Sequence, residues 1–194
     1  MANKQKVLLS TLVVGVLCGL TTLGVFGVFS ATTQNAGNEI STGTVAISDN
    51  DSGSALYNIT GAKPGDTVSK CIRTTYTGSL PSAVHLYTTS PPGALAQYVD
   101  LVITKGTQLN STFPDCSGFT ADGAALFTGT LQGFEQTHNA FAAGIAALPT
   151  GHAVWQPGDS VVYKFDATLQ LGTPDTSQGS SSGVHAFIWE ARNT

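Results

Sequence analysis

The chain has 194 residues, which is enough for one domain or for one domain with an appendage. Charged side chains make up only 10% of it and the mean hydropathy is +0.12, so the chain is too apolar to be intrinsically disordered. The formal net charge of −4 excludes the basic surface that nucleic-acid binding requires. This composition fits an extracellular β-rich domain whose surface is built from hydroxyl groups.

The first predicted element is an export signal over residues 1–27. Two lysines precede an uncharged apolar run over residues 7–29, and Gly27 followed by Val28 offers a small residue for cleavage. Cleavage there predicts a secreted chain that contacts the membrane only before it is cut. The run is also long enough to cross a bilayer, so a retained membrane anchor is the alternative.

After a polar leader over residues 28–41, residues 42–194 are predicted to form one folded domain. Short runs in it alternate apolar and polar residues with a period of two, which predicts half-buried β-strands separated by turn-forming residues. An antiparallel, jelly-roll-like sandwich is the expected architecture. The runs cover residues 42–48, 55–60, 67–76, 82–88, 98–104, 124–129, 160–171 and 184–191. The clearest run places Val161, Tyr163, Phe165, Ala167, Leu169 and Leu171 on one face.

Residues 130–148 break the period of two. Their apolar residues recur at helical spacing, which predicts one or two short helices inserted between strands. These residues are Leu131, Phe134, Phe141, Ile145 and Leu148.

A Pro-Gly-Asp sequence occurs twice, at residues 64–66 and at residues 157–159, each time before a predicted strand. Proline presets φ at the first corner of a type II turn, and glycine accepts the positive φ of the second. The aspartate is expected to bond forward to amides of the following strand. We therefore interpret both copies as structural corners, formed by Pro64, Gly65, Asp66, Pro157, Gly158 and Asp159.

Three cysteines are present, and Cys18 lies in the predicted signal. Cys71 and Cys116 are then the only mature pair, and outside the cell they are expected to form a disulfide. A loop of this length would stabilise the fold by about 4 kcal/mol in the chain-entropy estimate. Two unrelated buried thiols are the alternative.

Enzymatic motifs are weak in this sequence. No His-Glu-x-x-His is present, and a scattered zinc site would have to combine His138, His152 and a carboxylate. Residues 179–183 match Gly-x-Ser-x-Gly, but a nucleophile elbow needs a strand before it and a helix after it, whereas a loop and a strand are predicted. We expect no catalytic residues, no metal and no cofactor.

Two further polar motifs have structural interpretations. Residues 49–53 space oxygen ligands as calcium loops do but lack the distal glutamate, so a tight polar turn is favoured. Asn50, Asn58 and Asn110 lie in glycosylation sequons, which matter only if the host glycosylates exported proteins.

Several short motifs run through the chain in a fixed order. They begin after the predicted cut with an aromatic residue and a serine and end with an aromatic closing strand. The motifs are Phe29-Ser30, Gly43-Thr44-Val45, Pro64-Gly65-Asp66, Gly78-Ser79, Gln178-Gly179 and Phe187 with Trp189-Glu190-Ala191. Together they resemble the TasA/camelysin family of secreted proteins.

That resemblance implies a jelly roll that polymerises with copies of itself into extracellular (biofilm matrix) fibres, after a SipW-type signal peptidase has removed the signal. It also implies that the freed N-terminal segment completes the sheet of the next subunit, with Phe29, Ile40, Val45 and Ile47 as anchors. The protein would be secreted to the matrix or the cell surface. The alternatives are a membrane-anchored surface binding module and a camelysin-like metal-dependent protease.

Overall fold

The computed structural model describes residues 41–194, so the predicted signal and Gly27, Val28, Phe29 and Ile40 lie outside the described residues. Residues 41–194 form nine strands, one α-helix and three short 3₁₀ turns. The helix, α1, is Leu131–Thr137. The strands are β1 (Ile47–Asp49), β2 (Thr67–Tyr76), β3 (Ser82–Tyr87), β4 (Val99–Gln108), β5 (Phe119–Ala121), β6 (Phe127–Thr130), β7 (Ile145–Ala146), β8 (Ser160–Leu169) and β9 (Ile188–Asn193).

The strands form two antiparallel sheets packed as a sandwich, which confirms the predicted all-β fold with a short inserted helix. The large sheet has the order β1-β2-β8-β4-β5, with β6 also paired to β4, and the small sheet has the order β7-β3-β9. Because side chains alternate between the faces of a strand, the two inner faces share one core. Its largest fully buried side chains include Trp155, Tyr76, Tyr163, Phe134 and Phe165.

The two Pro-Gly-Asp corners have the same geometry. Gly65 and Gly158 have φ values of +93° and +89°, and each corner is closed by a turn hydrogen bond from the aspartate amide. The aspartate carboxylates bond backward rather than forward: Asp66 accepts from the Lys63 amide at 2.8 Å, and Asp159 accepts from the Gln156 amide at 2.7 Å. The turn brings each carboxylate next to the amide three residues earlier. The residues that directly follow each aspartate already belong to the strands.

The repeated sequence follows a local twofold arrangement of β2 and β8, which pair antiparallel along their lengths. Each corner begins one of these strands and closes the end of the other. The Gly65 amide donates to the Leu169 carbonyl at 2.7 Å, and the Gly158 amide donates to the Tyr76 carbonyl at 2.9 Å. The corners therefore fix the register of the two central strands at both ends.

Several predicted strand boundaries are wrong. Residues 55–60 form no strand, because the consecutive residues Leu56 and Tyr57 both turn inward, which strand alternation does not allow. Strand β8 ends at Leu169, so Leu171 leaves the predicted face and is 83% exposed. Strand β1 is shorter than predicted, and β5 and β7 are too short to give a periodic signal.

The helical interpretation of residues 130–148 is correct for its first half. Thr130 caps α1, since its hydroxyl accepts from the Gly133 amide at 3.0 Å, and a 3₁₀ turn follows at Phe141–Ala143. Ile145 then belongs to β7 rather than to a helix. Among residues 41–194 no helix is long and apolar enough to span a bilayer.

Candidate functional site

The inner face of the large sheet is covered in two different ways. In the part that we call the covered half, Tyr163 packs 5.4 Å from Trp189 of the small sheet. In the other part, the open half, Val68 and Leu169 face Leu131 of α1 and two irregular segments, residues 55–62 and 181–183. A cavity of about 370 Å³ lies in the open half.

A groove of about 340 Å³ opens beside this region, between residues 51–57 after β1 and residues 185–189 at the start of β9. Aromatic and aliphatic side chains provide much of its lining. These side chains are Leu56, Tyr57, Ile72, His185, Phe187 and Trp189. Such a surface is suited to apolar side chains of a peptide or protein.

The first wall of the groove is set by a polar turn after β1. Ser52 and Gly53 have φ values of +53° and +78°, and the Asp51 carboxylate accepts from the Gly53 amide at 2.6 Å. Asn50 anchors this turn, because its carbonyl oxygen accepts from the Arg73 amide and its amide group donates to Ser111. Residues 49–53 thus form the tight polar turn favoured from the sequence.

The segment that leads into the second wall is held by backbone hydrogen bonds to residues 93–95. The Gly93 amide donates to the Ser182 carbonyl at 2.9 Å, and the Leu95 amide donates to the Ser181 carbonyl at 3.0 Å. A side chain at Gly93 would collide with the backbone of Ser182 and Gly183, so this close approach requires glycine. The first wall and the segment before the second wall are therefore held by individual hydrogen bonds, whereas Trp189 of the second wall is also held by the pairing of β9 with β3.

Three polar side chains meet where the groove adjoins α1. The Tyr57 hydroxyl lies 2.7 Å from Nε2 of His185, and Nδ1 of His185 lies 3.9 Å from Oε1 of Glu135. The side chains of His185 and Glu135 are 8% and 1% exposed. Neither carboxylate oxygen of Glu135 has a hydrogen-bond partner within the described part of the chain.

Burial changes the ionisation of all three groups. It raises the pKa of Glu135 to about 7, because the charged carboxylate is deprived of water. It lowers the pKa of His185 for the same reason, with a smaller opposing effect from the Gly183 backbone. The pKa of the Tyr57 hydroxyl is raised by burial and by the nearby Glu135. The cluster therefore favours uncharged side chains.

The free edge of β9 lies on the same side of the molecule as the groove. Within residues 41–194, β9 pairs with β3 alone, and β1 approaches β9 without pairing to it. Thr194 donates to Pro81, and bonding alternates along an antiparallel strand, so the Ala191 amide points away from β3. With six residues, β9 is longer than the other edge strands of the described chain, β1, β5, β6 and β7.

Two predicted assembly residues already belong to the domain itself. Ile47 lies in β1 opposite Tyr76 of β2 and packs against the core. Val45 is 39% exposed, but its neighbour Thr44 accepts from the Ser79 amide at 2.9 Å. In this arrangement the chain from Thr44 onward completes its own sheet.

Cys71 and Cys116 are joined in a disulfide with a Cα–Cα distance of 5.1 Å. It ties the middle of β2 to the loop between β4 and β5, and the Cys71 amide donates to Pro114 of the same loop. Cys71 is 1% exposed. Neither cysteine lines the groove, but Cys71 directly precedes the groove residue Ile72, and the loop that the bond holds carries Ser111, which binds Asn50.

The four histidines have separate surroundings. His138 bonds to the Ala143 carbonyl at 2.6 Å, His152 bonds to the Asp159 carboxylate at 2.6 Å, and His85 stacks on Phe141 with ring centres 4.2 Å apart. The side chain of His185 is buried. Among residues 41–194 no group of three histidine, cysteine or acidic side chains is placed to hold a metal ion.

The remaining sequence motifs have no catalytic geometry. Residues 179–183 follow a 3₁₀ turn and precede irregular chain, so the strand and helix of a nucleophile elbow are both missing there. Of the sequon asparagines, Asn58 and Asn110 are exposed, whereas Asn50 is held by Arg73 and Ser111.

No family model matches this sequence, and no curated protein matches it. The resemblance to the TasA/camelysin family therefore rests on the short motifs and remains a hypothesis.

Sequence reasoning missed the cluster of Tyr57, His185 and Glu135. The three residues are far apart in the chain and belong to no motif. One local signal exists: Glu135 directly follows the core residue Phe134 in a helix of only seven residues, and both are buried. A helix this short at the end of a sandwich has few exposed positions for an acid.

Proposed function

We propose that the mature protein is an extracellular structural protein that assembles with copies of itself into fibres, through addition of a strand from one copy to the next. The observation that carries the proposal is the free edge of β9 beside an aromatic groove. In strand addition, main-chain hydrogen bonds supply affinity, and pockets for alternate side chains supply specificity. The β9 edge supplies the first requirement and the groove supplies the second.

The donor segment in this proposal lies before Thr44. Thr44 and Ile47 are bonded within their own domain, so a donor must come from residues before Thr44, which include the leader, residues 28–41. That leader contains Phe29 and Ile40 as apolar anchors. The motif resemblance to secreted fibre-forming proteins supports the same proposal, including signal removal by a SipW-type peptidase.

An unprotected edge strand favours uncontrolled association, and most edges of this domain are short. A long free edge on β9 is consistent with a designated pairing surface. Its outward amides include that of Ala191, whose side chain packs against the core.

The test uses the mature chain and a variant that lacks residues 28–37. Electron microscopy and size-exclusion chromatography should show fibres for the first and folded monomers for the second. N-terminal sequencing of the exported protein distinguishes cleavage from a retained anchor. Normal fibres from the shortened chain would contradict assembly through the leader.

The acceptor edge is tested by Ala191→Pro. Proline removes one outward amide and leaves the bonds to β3, so the domain should fold but assemble poorly. Ala191→Ser keeps the amide and is the matched control. Equal assembly of the two variants would exclude the β9 edge as the acceptor.

A further inference from the structure

The cluster of Tyr57, His185 and Glu135 joins three separate parts of the chain. Tyr57 belongs to the first wall of the groove, His185 to the second wall, and Glu135 to α1. The tyrosine bond at 2.7 Å crosses from one wall to the other, and the histidine faces the carboxylate at 3.9 Å. Breaking these contacts would separate both walls from the helix.

The number of protons on this cluster decides its charge. With one proton, the cluster is either neutral, with an acid and an imidazole, or an ion pair of carboxylate and imidazolium. With two protons it is a buried cation, and with none it is a buried carboxylate without a donor. Both of these charged states are costly at sites that are 8% and 1% exposed. The one-proton state is therefore the state that fits the closed geometry.

Other titratable groups on the surrounding elements are engaged elsewhere. Asp51 binds the Gly53 amide, and His138 binds the Ala143 carbonyl. Asp100 of β4 binds Gln170, and Lys105 of β4 pairs with Asp122.

Glu190 of β9 pairs with Arg192 and accepts from Tyr87. The backbone of Tyr98, just before β4, bonds to Gln170. Lys70 of β2 lies between Val68 and Ile72 and forms no ion pair with an acid of residues 41–194. Within residues 41–194, the ion pair that reaches either of the two titrating side chains is the one between them.

We propose that Tyr57, His185 and Glu135 form a proton-counting latch, which holds residues 51–60 and 181–187 closed over the open half while His185 and Glu135 together carry one proton. Addition of a second proton, or loss of the last one, releases these segments and opens the groove. The latch acts within one chain, so this inference does not depend on the proposed assembly.

The opposite pKa shifts of the two groups give the pH dependence. When the segments open, the groups return to water and to ordinary pKa values of 4.5 for the glutamate and 6.5 for the histidine. The raised pKa of Glu135 gives a closing energy that is present below pH 4.5 and lost as the pH rises through about 7. The lowered pKa of His185 gives a second closing energy, which is present above pH 6.5 and is lost as the pH falls.

These two dependences cancel in the intact cluster between about pH 4.5 and 6.5, because the open and the closed forms each carry one proton there. Removing one partner should expose the dependence of the other. This cancellation, together with its loss in each single variant, distinguishes two groups that both change ionisation on opening from buried groups that only fill space.

The experiment measures amide hydrogen exchange of residues 51–60 and 181–187 by mass spectrometry in the mature chain, corrected for intrinsic exchange rates at each pH. The wild type should show nearly constant opening between pH 4.5 and 6.5. In His185→Gln, opening should increase by on the order of 100-fold from pH 4.5 to 7, as Glu135 ionises alone. In Glu135→Gln, opening should instead increase as the pH falls below 6.5.

Three further variants serve as controls. The double variant Glu135→Gln/His185→Gln should open more than the wild type by a factor that does not change with pH. Tyr57→Phe loses the bond between the walls and should open more at every pH. His138→Gln, directly after α1 and outside the cluster, should keep the wild-type profile. Peptides of β8 provide the internal reference, since they should remain protected throughout.

Equal pH profiles for the wild type and both single variants would overturn the proposal. Wild-type protection of both segments in Tyr57→Phe would overturn it as well, because the latch would then lack its bond between the walls. Failure of the chain to form fibres would leave these measurements unchanged, so the two proposals fail separately.

Discussion

The covered half and the open half of the large sheet belong to the same strands but are stabilised differently. In the covered half, Trp155 is fully buried, its indole donates to the Ala147 carbonyl at 2.9 Å, and its backbone bridges to Ser82 of β3. In the open half, Phe187 is only partly buried and lies at the wall of the groove. Strand pairing fixes the first region, whereas isolated backbone and side-chain hydrogen bonds hold the second.

This difference separates stability from adaptability within one small domain. A core closed by two sheets has little freedom to move without losing close packing. Irregular segments with few backbone bonds open at lower free energy, and binding surfaces are drawn from such regions. The groove, the free β9 edge and the proposed latch all lie at the open side of the sandwich.

The largest effect on stability is expected for Trp155→Ala, which removes a side chain of the covered half. Removing a fully buried indole should lower the free energy of unfolding by about 3–5 kcal/mol, through lost burial and a cavity. Phe187→Ala should cost clearly less, because the ring already adjoins a cavity and its surroundings can relax. Urea unfolding followed by circular dichroism measures both. Equal costs would show that the two halves are equally well packed.

The next effect comes from the disulfide at the edge of the large sheet. The double variant Cys71→Ala/Cys116→Ala should lose about 4 kcal/mol in the chain-entropy estimate. Its opening rates at residues 51–60 should rise more than those of β8, because the loop that the disulfide holds carries Ser111, which binds Asn50 at the base of the first wall. Non-reducing peptide mapping of the exported protein should recover the two cysteines linked. Recovery of both as free thiols would contradict the pairing.

The two Pro-Gly-Asp corners can be compared directly, because their glycines have nearly the same φ. Gly65→Ala and Gly158→Ala each place a side chain at a φ near +90° and should each cost about 1–3 kcal/mol. A side chain at residue 65 would also meet Leu171, whereas residue 158 has open space, so Gly65→Ala should be at least as costly. Thermal unfolding measures both, with Gly172→Ala as a control in open space. Wild-type melting temperatures would contradict the turn geometry.

The smallest effect is expected at the N-terminus of α1. Thr130→Ala removes the hydroxyl that accepts from the Gly133 amide and should cost about 1 kcal/mol. Because α1 carries Glu135, the loss should appear mainly as faster exchange in the open half. Thr130→Ser keeps the cap and is the matched control. A loss spread evenly over both halves would show that α1 does not act on the open half alone.

Prediction from sequence succeeded where one physical signal dominates. The alternation in residues 160–169 is strong, since one face is buried against the core, and β2 and β3 begin where their turns predict. The corners were readable because proline and glycine restrict φ locally. The irregular course of residues 55–60 was not readable, because a short run that mixes apolar and polar residues fits a strand as well as a covering loop.

The sequence by itself determined the β-rich class, the central strands, the positive-φ corners and the cysteine pair, because each depends on local conformation or on composition. Only the tertiary structure decided that β9 has a free edge, that Thr44 and Ile47 complete their own sheet, and that Tyr57, His185 and Glu135 meet. These features depend on contacts between residues far apart in the chain. Such contacts arise from the packing of whole sheets, and no local pattern encodes them.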